Sequence, residues 1–179
     1  MKIILIGIQG AGKSTQGNLL RDKLNIPYLS SGHILRNIAK EKTKEGRYIK
    51  ETINAGVLVP DDKMTSIIEA YLSRKEYEEG YVLDGYPRTV EQAKTFREKI
   101  DKVIYLKVSD KEALWRLSYR NGEVREDETL LVIRKRIDLF HEFTEPVLEF
   151  YRRRGILIEI DGEKSVEDVR KEILQSLTP

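Results

Sequence analysis

The feature that most limits what this chain can become is "IILIGIQGAGKST", residues 3 to 15. A short, continuous apolar run meets Gly7. After four intervening residues come Gly12, Lys13 and Ser14, which fits the phosphate-loop pattern G-x-x-x-x-G-K-S/T. Without polar alternation, the run demands a strand covered on both faces. The glycines let the backbone curl so that successive N–H groups face one anion. The helix expected next adds the positive end of its dipole. Lys13 brings a mobile point charge for β- and γ-phosphates, and Ser14 or Thr15 a hydroxyl for magnesium. A glycine-rich turn with no ligand is the bland alternative, and the full match in its strand–turn–helix setting weighs against it. The loop implies a nucleoside triphosphate without saying where the phosphoryl group goes. A GTPase would usually also carry N-K-x-D, which is absent from the sequence.

The rest of the chain repeats the strand–helix alternation. Ile3–Ile6, Tyr81–Leu83, Val103–Val108 and Ile156–Ile160 read as buried strands, with Tyr28-Leu29 a short fifth. Helical spacing appears at Leu19, Leu20 and Leu24, and again at Ile67, Ile68, Tyr71 and Leu72. It also marks a long stretch from Val132 to Val147 that includes Phe140 and Phe143, and a final one over Val166, Val169, Ile173 and Leu177. Ser165 suits the start of that last helix, with Asp168 three residues on. Pro146 cannot donate a backbone bond and should kink or restart the long helix. The pattern predicts an α/β fold: a three-layer sandwich with a central parallel five-stranded sheet and helices on both faces. Two segments read as excursions, residues 30–59 and the charged turn 120–128.

Composition removes several classes. Lys+Arg 32 against Asp+Glu 30 leaves a net charge of +2 over 179 residues, which gives no case for a surface that coats nucleic acid. There is no cysteine, so disulfides and thiolate zinc sites are excluded, and a reducing cytoplasm is compatible. No apolar run approaches the ~20 residues of a membrane span, and "IILIGI" is too short for a secretion signal. The high charged content, 35%, also occurs in heat-adapted proteins.

"LDGYPRT", residues 83 to 89, puts Asp84 and Arg88 at the carboxyl end of a predicted strand. Ligands of open α/β sheets sit beyond that end. The Asp84 carboxylate there can reach the loop's metal, and Arg88 can hold a second anion beside the triphosphate. Together with "GIQGAGKSTQ", "SSGHILR" at 30–36, "AGVLVPDD" at 55–62, "LDGYPRTVEQA" at 83–93, "WRLSYR" at 115–120, "REDETLLVIRKR" at 125–136 and the tail "EPVLEFYRRRGILIEIDGEKSVEDV", the chain resembles an adenylate kinase, or more broadly a nucleoside monophosphate kinase, over nearly its whole length.

The resemblance implies a P-loop core of residues 1–29, 60–119 and 129–179, a monophosphate-binding lobe at 30–59 and a short lid at 120–128. It implies that Lys13 and the loop of Gly10, Ala11, Gly12, Ser14 and Thr15 hold ATP. Arg116 would stack on the donor adenine, and the backbone near Lys164 would line its edge. Arg36 and Arg88 would clamp AMP against Gly85, with Ser31 and Gln92 reading the base and Val57 and Val59 in the same site. Arg120, Arg125 and Arg136 would surround the phosphoryl in transit, braced by Asp127. Ser14 and Asp84 would position Mg2+, directly or through water. A cytoplasmic monomer acting on ATP, AMP and ADP, with no nucleic-acid or membrane partner, is the implied setting.

Bland readings stand beside these. Arginines in "WRLSYRNGEVREDE" could be a solvated face, and Arg116 a surface residue with a buried stem. Asp84 could cap the next helix. Arg134 and Lys135 read as surface, Trp115 as core, and His33 and His141 as residues without a catalytic role. Against the family pattern, Ser14 stands for a usual Gly, Gln9 for Pro, His33 for Asp and Ser31 for Thr. Four residues separate Arg120 from Arg125, which matches the short-lid branch without zinc. Gln92 favours AMP. A uridylate–cytidylate kinase, a broader monophosphate kinase, and an ATP-binding switch module remain the alternatives.

Overall fold

The computed structural model describes residues 1–119 and 129–177. Five strands form one sheet in the order β2-β3-β1-β4-β5, every pairing parallel. They are β1 (Lys2–Ile6), β2 (Tyr28–Ser30), β3 (Tyr81–Asp84), β4 (Lys102–Lys107) and β5 (Leu157–Asp161). Successive residues of a strand face opposite sides. Ile3, Ile4 and Leu5 are all fully buried, so both faces of β1 are covered. The predicted class therefore holds, with no strand end moved by more than one residue.

The helices are α1 (Lys13–Leu24), α2 (Ser31–Lys40), α3 (Lys44–Asn54), α4 (Asp61–Leu72), α5 (Val90–Thr95), α6 (Asp110–Ser118), α7 (Leu130–Leu139), α8 (Glu145–Arg153) and α9 (Val166–Leu177). Side-chain caps start most of them. Thr43, Thr89, Ser109 and Thr129 each accept from a backbone N–H three residues on, and Ser165 accepts from Asp168 in the same way. α1 and α9 pack together, α5 packs on both α4 and α8, and α2 packs chiefly on α3.

β1 lies between β3 and β4; the connection from β1 runs past β3 to β2, whereas the one from β3 runs past β1 to β4, so two adjacent strands are followed by connections in opposite directions. That is the switch point where doubly wound sheets open a crevice at their carboxyl ends. The loop after β1, the turn after β3 and the start of α2 after β2 are all delivered to that edge.

The long C-terminal helix is interrupted as Pro146 requires. Residues Phe140–Thr144 form a π-helical turn, and α8 restarts with Pro146 in its first turn. The wider turn changes which side chains face inward. Phe143 is 38% exposed and Thr144 is buried. A 3.6-residue period carried through this stretch pointed Phe143 at the core, and the extra residue in the turn rotates it out.

α1 approaches β2 so closely that a Cβ on Gly17 would lie 2.3 Å from the Tyr28 ring. Gly17→Ala should therefore displace that ring and lower stability by about 1–3 kcal/mol, the range for overpacking. Urea unfolding should show an earlier midpoint at unchanged slope. A midpoint equal to that of the parent would mean the two elements yield freely.

Candidate active site

A cavity of about 600 Å³ opens at the carboxyl edge of the sheet. Every described residue to which the sequence assigns a nucleotide or metal role lines it. That includes the loop Gly10 to Thr15, Ser31 and Arg36, Val57 and Val59, Asp84 to Gln92 at the named positions, Arg116, Arg136 and Lys164. Arg120 and Arg125, with Asp127, lie outside the described residues.

The loop has the geometry an anion site needs. Gly10 and Gly12 take φ of 92° and 88°, the left-handed region where a side chain is strained. α1 begins at Lys13 with no side-chain cap among the described residues and no acidic residue in its first turn, so its N-terminal dipole meets no local carboxylate. Lys13 Nζ donates to the carbonyls of Gly7 and Ile8 at 2.7 and 2.9 Å, folding the ammonium over its own loop.

Arg88 sits in a turn held from four sides. Its Nε donates to the Gly85 carbonyl at 2.9 Å, and that oxygen also accepts from Ser31 Oγ at 2.9 Å. The Arg88 amide donates to Gln92 Oε1 at 2.7 Å, and its carbonyl accepts from Thr144 Oγ1 at 3.0 Å. Gly85 is required here: φ is 78°, and a Cβ would stand 2.4 Å from Ser31 Oγ. Burial first, and then the charge of Arg136, push the Arg88 guanidinium below its ordinary range; Asp84 opposes this and Arg36 adds to it. Three guanidiniums thus share one neighbourhood. Arg136 donates to the Ile53 carbonyl at 2.9 Å and to Gln9 Oε1 at 3.4 Å, joining the end of α3 to the phosphate loop. The Gln at position 9, unusual for the family pattern, thereby has a partner.

Asp84 is 6% exposed. Its Oδ2 accepts from the Tyr28 hydroxyl at 2.8 Å, while Oδ1 is buried with no hydrogen-bond partner among the described residues. Burial, the Asp84 charge and the bond to Asp84 all hold the Tyr28 phenol far above its usual range; contacts with Ser14 and Ser30 work the other way. The Tyr28 hydroxyl thus bonds Asp84, one of the two residues proposed for the metal. A buried carboxylate oxygen without a donor, beside a serine hydroxyl at a phosphate loop, fits a hard oxygen-seeking cation such as Mg2+. The capping alternative for Asp84 fails, because Thr89 caps α5 through the Gln92 amide at 3.1 Å.

At the other end of the cavity Arg116 Nε donates to Glu112 Oε1 at 2.7 Å, and Lys164 Nζ to Glu172 Oε1 at 2.5 Å. Trp115 corrects the sequence expectation of a core residue. It is 56% exposed at the cavity rim, its ring 5.2 Å from that of Tyr119. With Ala113 turned inward, Trp115 two positions on lies toward the opposite side of the helix, while Leu114 and Leu117 stay half-buried. Arg134 and Lys135 are exposed, as read from the sequence, and His33 is exposed too. His141 bonds Glu145 at 2.8 Å and Asp110 at 2.9 Å, and these carboxylates raise its pKa, Glu145 foremost. It is not among the cavity residues.

Tyr28, Thr144 and Asp61 support the site without having been singled out. Tyr28 carried a weak signal, an aromatic residue opening a short strand just before "SSG". Thr144 carried none, since its inward position depends on the π turn.

The sequence model of the family described as adenylate kinase matches residues 5–156. The chain is 39% identical to an adenylate kinase of Encephalitozoon cuniculi over 176 positions, covering 98% of this chain and 97% of the other. It is 35% identical to one of Fusobacterium nucleatum, covering 99% and 98%. It is 33% identical to one of Caldicellulosiruptor bescii, covering 99% of each.

Tyr28→Phe removes the donor that Asp84 Oδ2 has and leaves the carboxylate with both oxygens unmatched. We expect a loss of about 1–3 kcal/mol in the ligand-free protein. Thermal unfolding without nucleotide would check it, and an unchanged midpoint would mean Asp84 finds water or another donor.

Proposed function

The chain belongs to the adenylate kinase family, and from that membership we propose that it catalyses the reversible, magnesium-dependent transfer ATP + AMP ⇌ 2 ADP. The observation that carries the reading is the cavity itself. A phosphate loop and an arginine turn open into one space of about 600 Å³.

In this reading Lys13 and the amides of the loop 7–12 hold the β- and γ-phosphates. Arg36 and Arg88 hold the AMP phosphate against Gly85. Arg136, already poised between loop and lobe, neutralises charge on the phosphoryl as it passes. Arg120 and Arg125 would join it from the lid. A transferring phosphoryl spreads negative charge over its oxygens, so guanidinium forks placed around it lower the barrier. No general base is needed, because the acceptor oxygen is already anionic. Bound Mg2+, held near Ser14 and Asp84, would neutralise charge on the donor phosphates. Arg116 and Lys164 would flank the donor base, and Ser31, Val57, Val59 and Gln92 the acceptor base.

We take residues 30–59 as the monophosphate lobe and 120–128 as the lid, both closing when two nucleotides bind. The alignments suit the short-lid reading. The match to the Encephalitozoon enzyme fits within 176 positions, whereas that to the Caldicellulosiruptor enzyme needs 212, more than this chain's 179 residues. We place the enzyme in the cytoplasm as a monomer. No helix among the described residues is long and apolar enough to cross a membrane.

Incubation of the purified protein with ATP, magnesium and each of AMP, GMP, CMP and UMP tests the assignment. ADP should form fastest with AMP; no gain over ATP alone would end the reading, and faster turnover of UMP or CMP would replace it with the pyrimidine enzyme. Arg88→Ala should cut kcat/KM by at least about 10²-fold, the scale of losing one transition-state charge stabiliser.

A further inference from the structure

Gln92 is 1% exposed and lines the cavity, yet its amide is already committed at both ends. Nε2 donates to Asp61 Oδ1 at 2.8 Å, and Oε1 accepts from the Arg88 amide at 2.7 Å. The same Asp61 oxygen accepts from Thr89 Oγ1 at 3.0 Å, and Thr89 Oγ1 in turn accepts from the Gln92 amide at 3.1 Å. Asp61 is the first residue of α4, immediately after the segment 30–59, and does not itself line the cavity.

We propose that Asp61 is a positioning residue that fixes which way the Gln92 amide points, and so sets which base edge the acceptor site accepts. The proposal rests on the reading that Gln92 faces the acceptor base. Its chemistry is one of direction. An ionised carboxylate only accepts, and a backbone N–H only donates. Reversing the amide would set oxygen against the Asp61 carboxylate and N–H against the Arg88 N–H. Both ends therefore enforce one orientation.

A glutamine amide has two N–H donors and two acceptor lone pairs. One of each is used here, so one N–H and one lone pair remain. Adenine offers a ring-nitrogen acceptor beside an amino donor. Guanine offers a ring N–H donor beside a carbonyl acceptor, the reverse order. Cytosine follows adenine and uracil follows guanine. With the monophosphate anchored at Arg36 and Arg88, the base cannot turn over freely, and an amide of fixed direction matches one order and opposes the other. Asp61 thereby discriminates against guanine and uracil, while ring size must separate adenine from cytosine.

The test is the ratio of kcat/KM for AMP to that for GMP, with ATP and magnesium, in the parent and in Asp61→Ala, Asp61→Ser, Asp61→Asn and Gln92→Ala. Asp61→Ala should lower the AMP:GMP ratio on the order of tenfold, the scale for mispairing one buried polar group. KM for AMP should rise more than kcat falls. Asp61→Ser, whose hydroxyl both donates and accepts, should lose the ratio likewise and keeps the test decisive if the alanine variant does not fold. Asp61→Asn, whose carbonyl can still take the Thr89 hydroxyl and the Gln92 amide, should lose less than Asp61→Ala. A folded Asp61→Ala or Asp61→Ser with the parent ratio overturns the proposal, as does an equal loss for both acceptors, which is what a purely structural role would give. An unchanged ratio in Gln92→Ala removes the reading beneath it and the proposal with it. A changed ratio in Gln92→Ala beside an unchanged one in the Asp61 variants overturns the proposal alone.

Discussion

The structure depends on holding like charges close together before any anion arrives. Arg88, Arg136 and Arg36 are near enough for each neighbour to lower the pKa of the first, inside a cavity that also contains Lys13. Such a cluster opposes folding. Its hydrogen bonds show how that cost is contained: Lys13 to Gly7 and Ile8, Arg88 to Gly85, Arg136 to Ile53, each to a main-chain carbonyl. Carbonyls are neutral acceptors and weaker than phosphate oxygens for a cation. They hold the side chains in place and can be outcompeted by a phosphate.

What keeps Arg88 there is one local bond and two distant ones. Gln92, four residues on in α5, holds its amide, while Ser31 from the start of α2 and Thr144 from the π turn bond the same turn from 54 and 56 positions away. No local propensity brings those two in; the parallel sheet brings Ser31, by delivering the ends of β2 and β3 to one edge. Asp84 shows the same dependence. It is buried at the end of a central strand, and its one described bond comes from Tyr28 on the neighbouring strand.

Much of this was legible in the sequence because it follows from short-range rules. Continuous apolar runs mark buried parallel strands, the glycine pattern marks the phosphate loop, and Pro146 marks a break in the last long helix. Arg36, Arg88, Gln92 and Arg136 could be assigned because their motifs match a family in order, and the fold gathers them. What escaped is what depends on tertiary geometry. Trp115 was placed in the core by its size, although its helix turns it outward. Phe143 and Thr144 exchange roles because one extra residue in a helical turn shifts the phase, which periodicity cannot see. Gln92 was read as a base contact alone, because nothing in its neighbourhood says that Asp61, thirty-one positions earlier, occupies one end of its amide.

The exposed indole at the cavity rim has a practical consequence. It is the single tryptophan in the chain, so near-ultraviolet emission from the protein reports one environment. That indole is more than half exposed, with the Tyr119 ring to one side. A purine stacked near Arg116, or a segment folding over the rim, would change the polarity around the fluorophore. The molecule thus contains its own unlabelled optical probe, placed where occupancy alters the solvent.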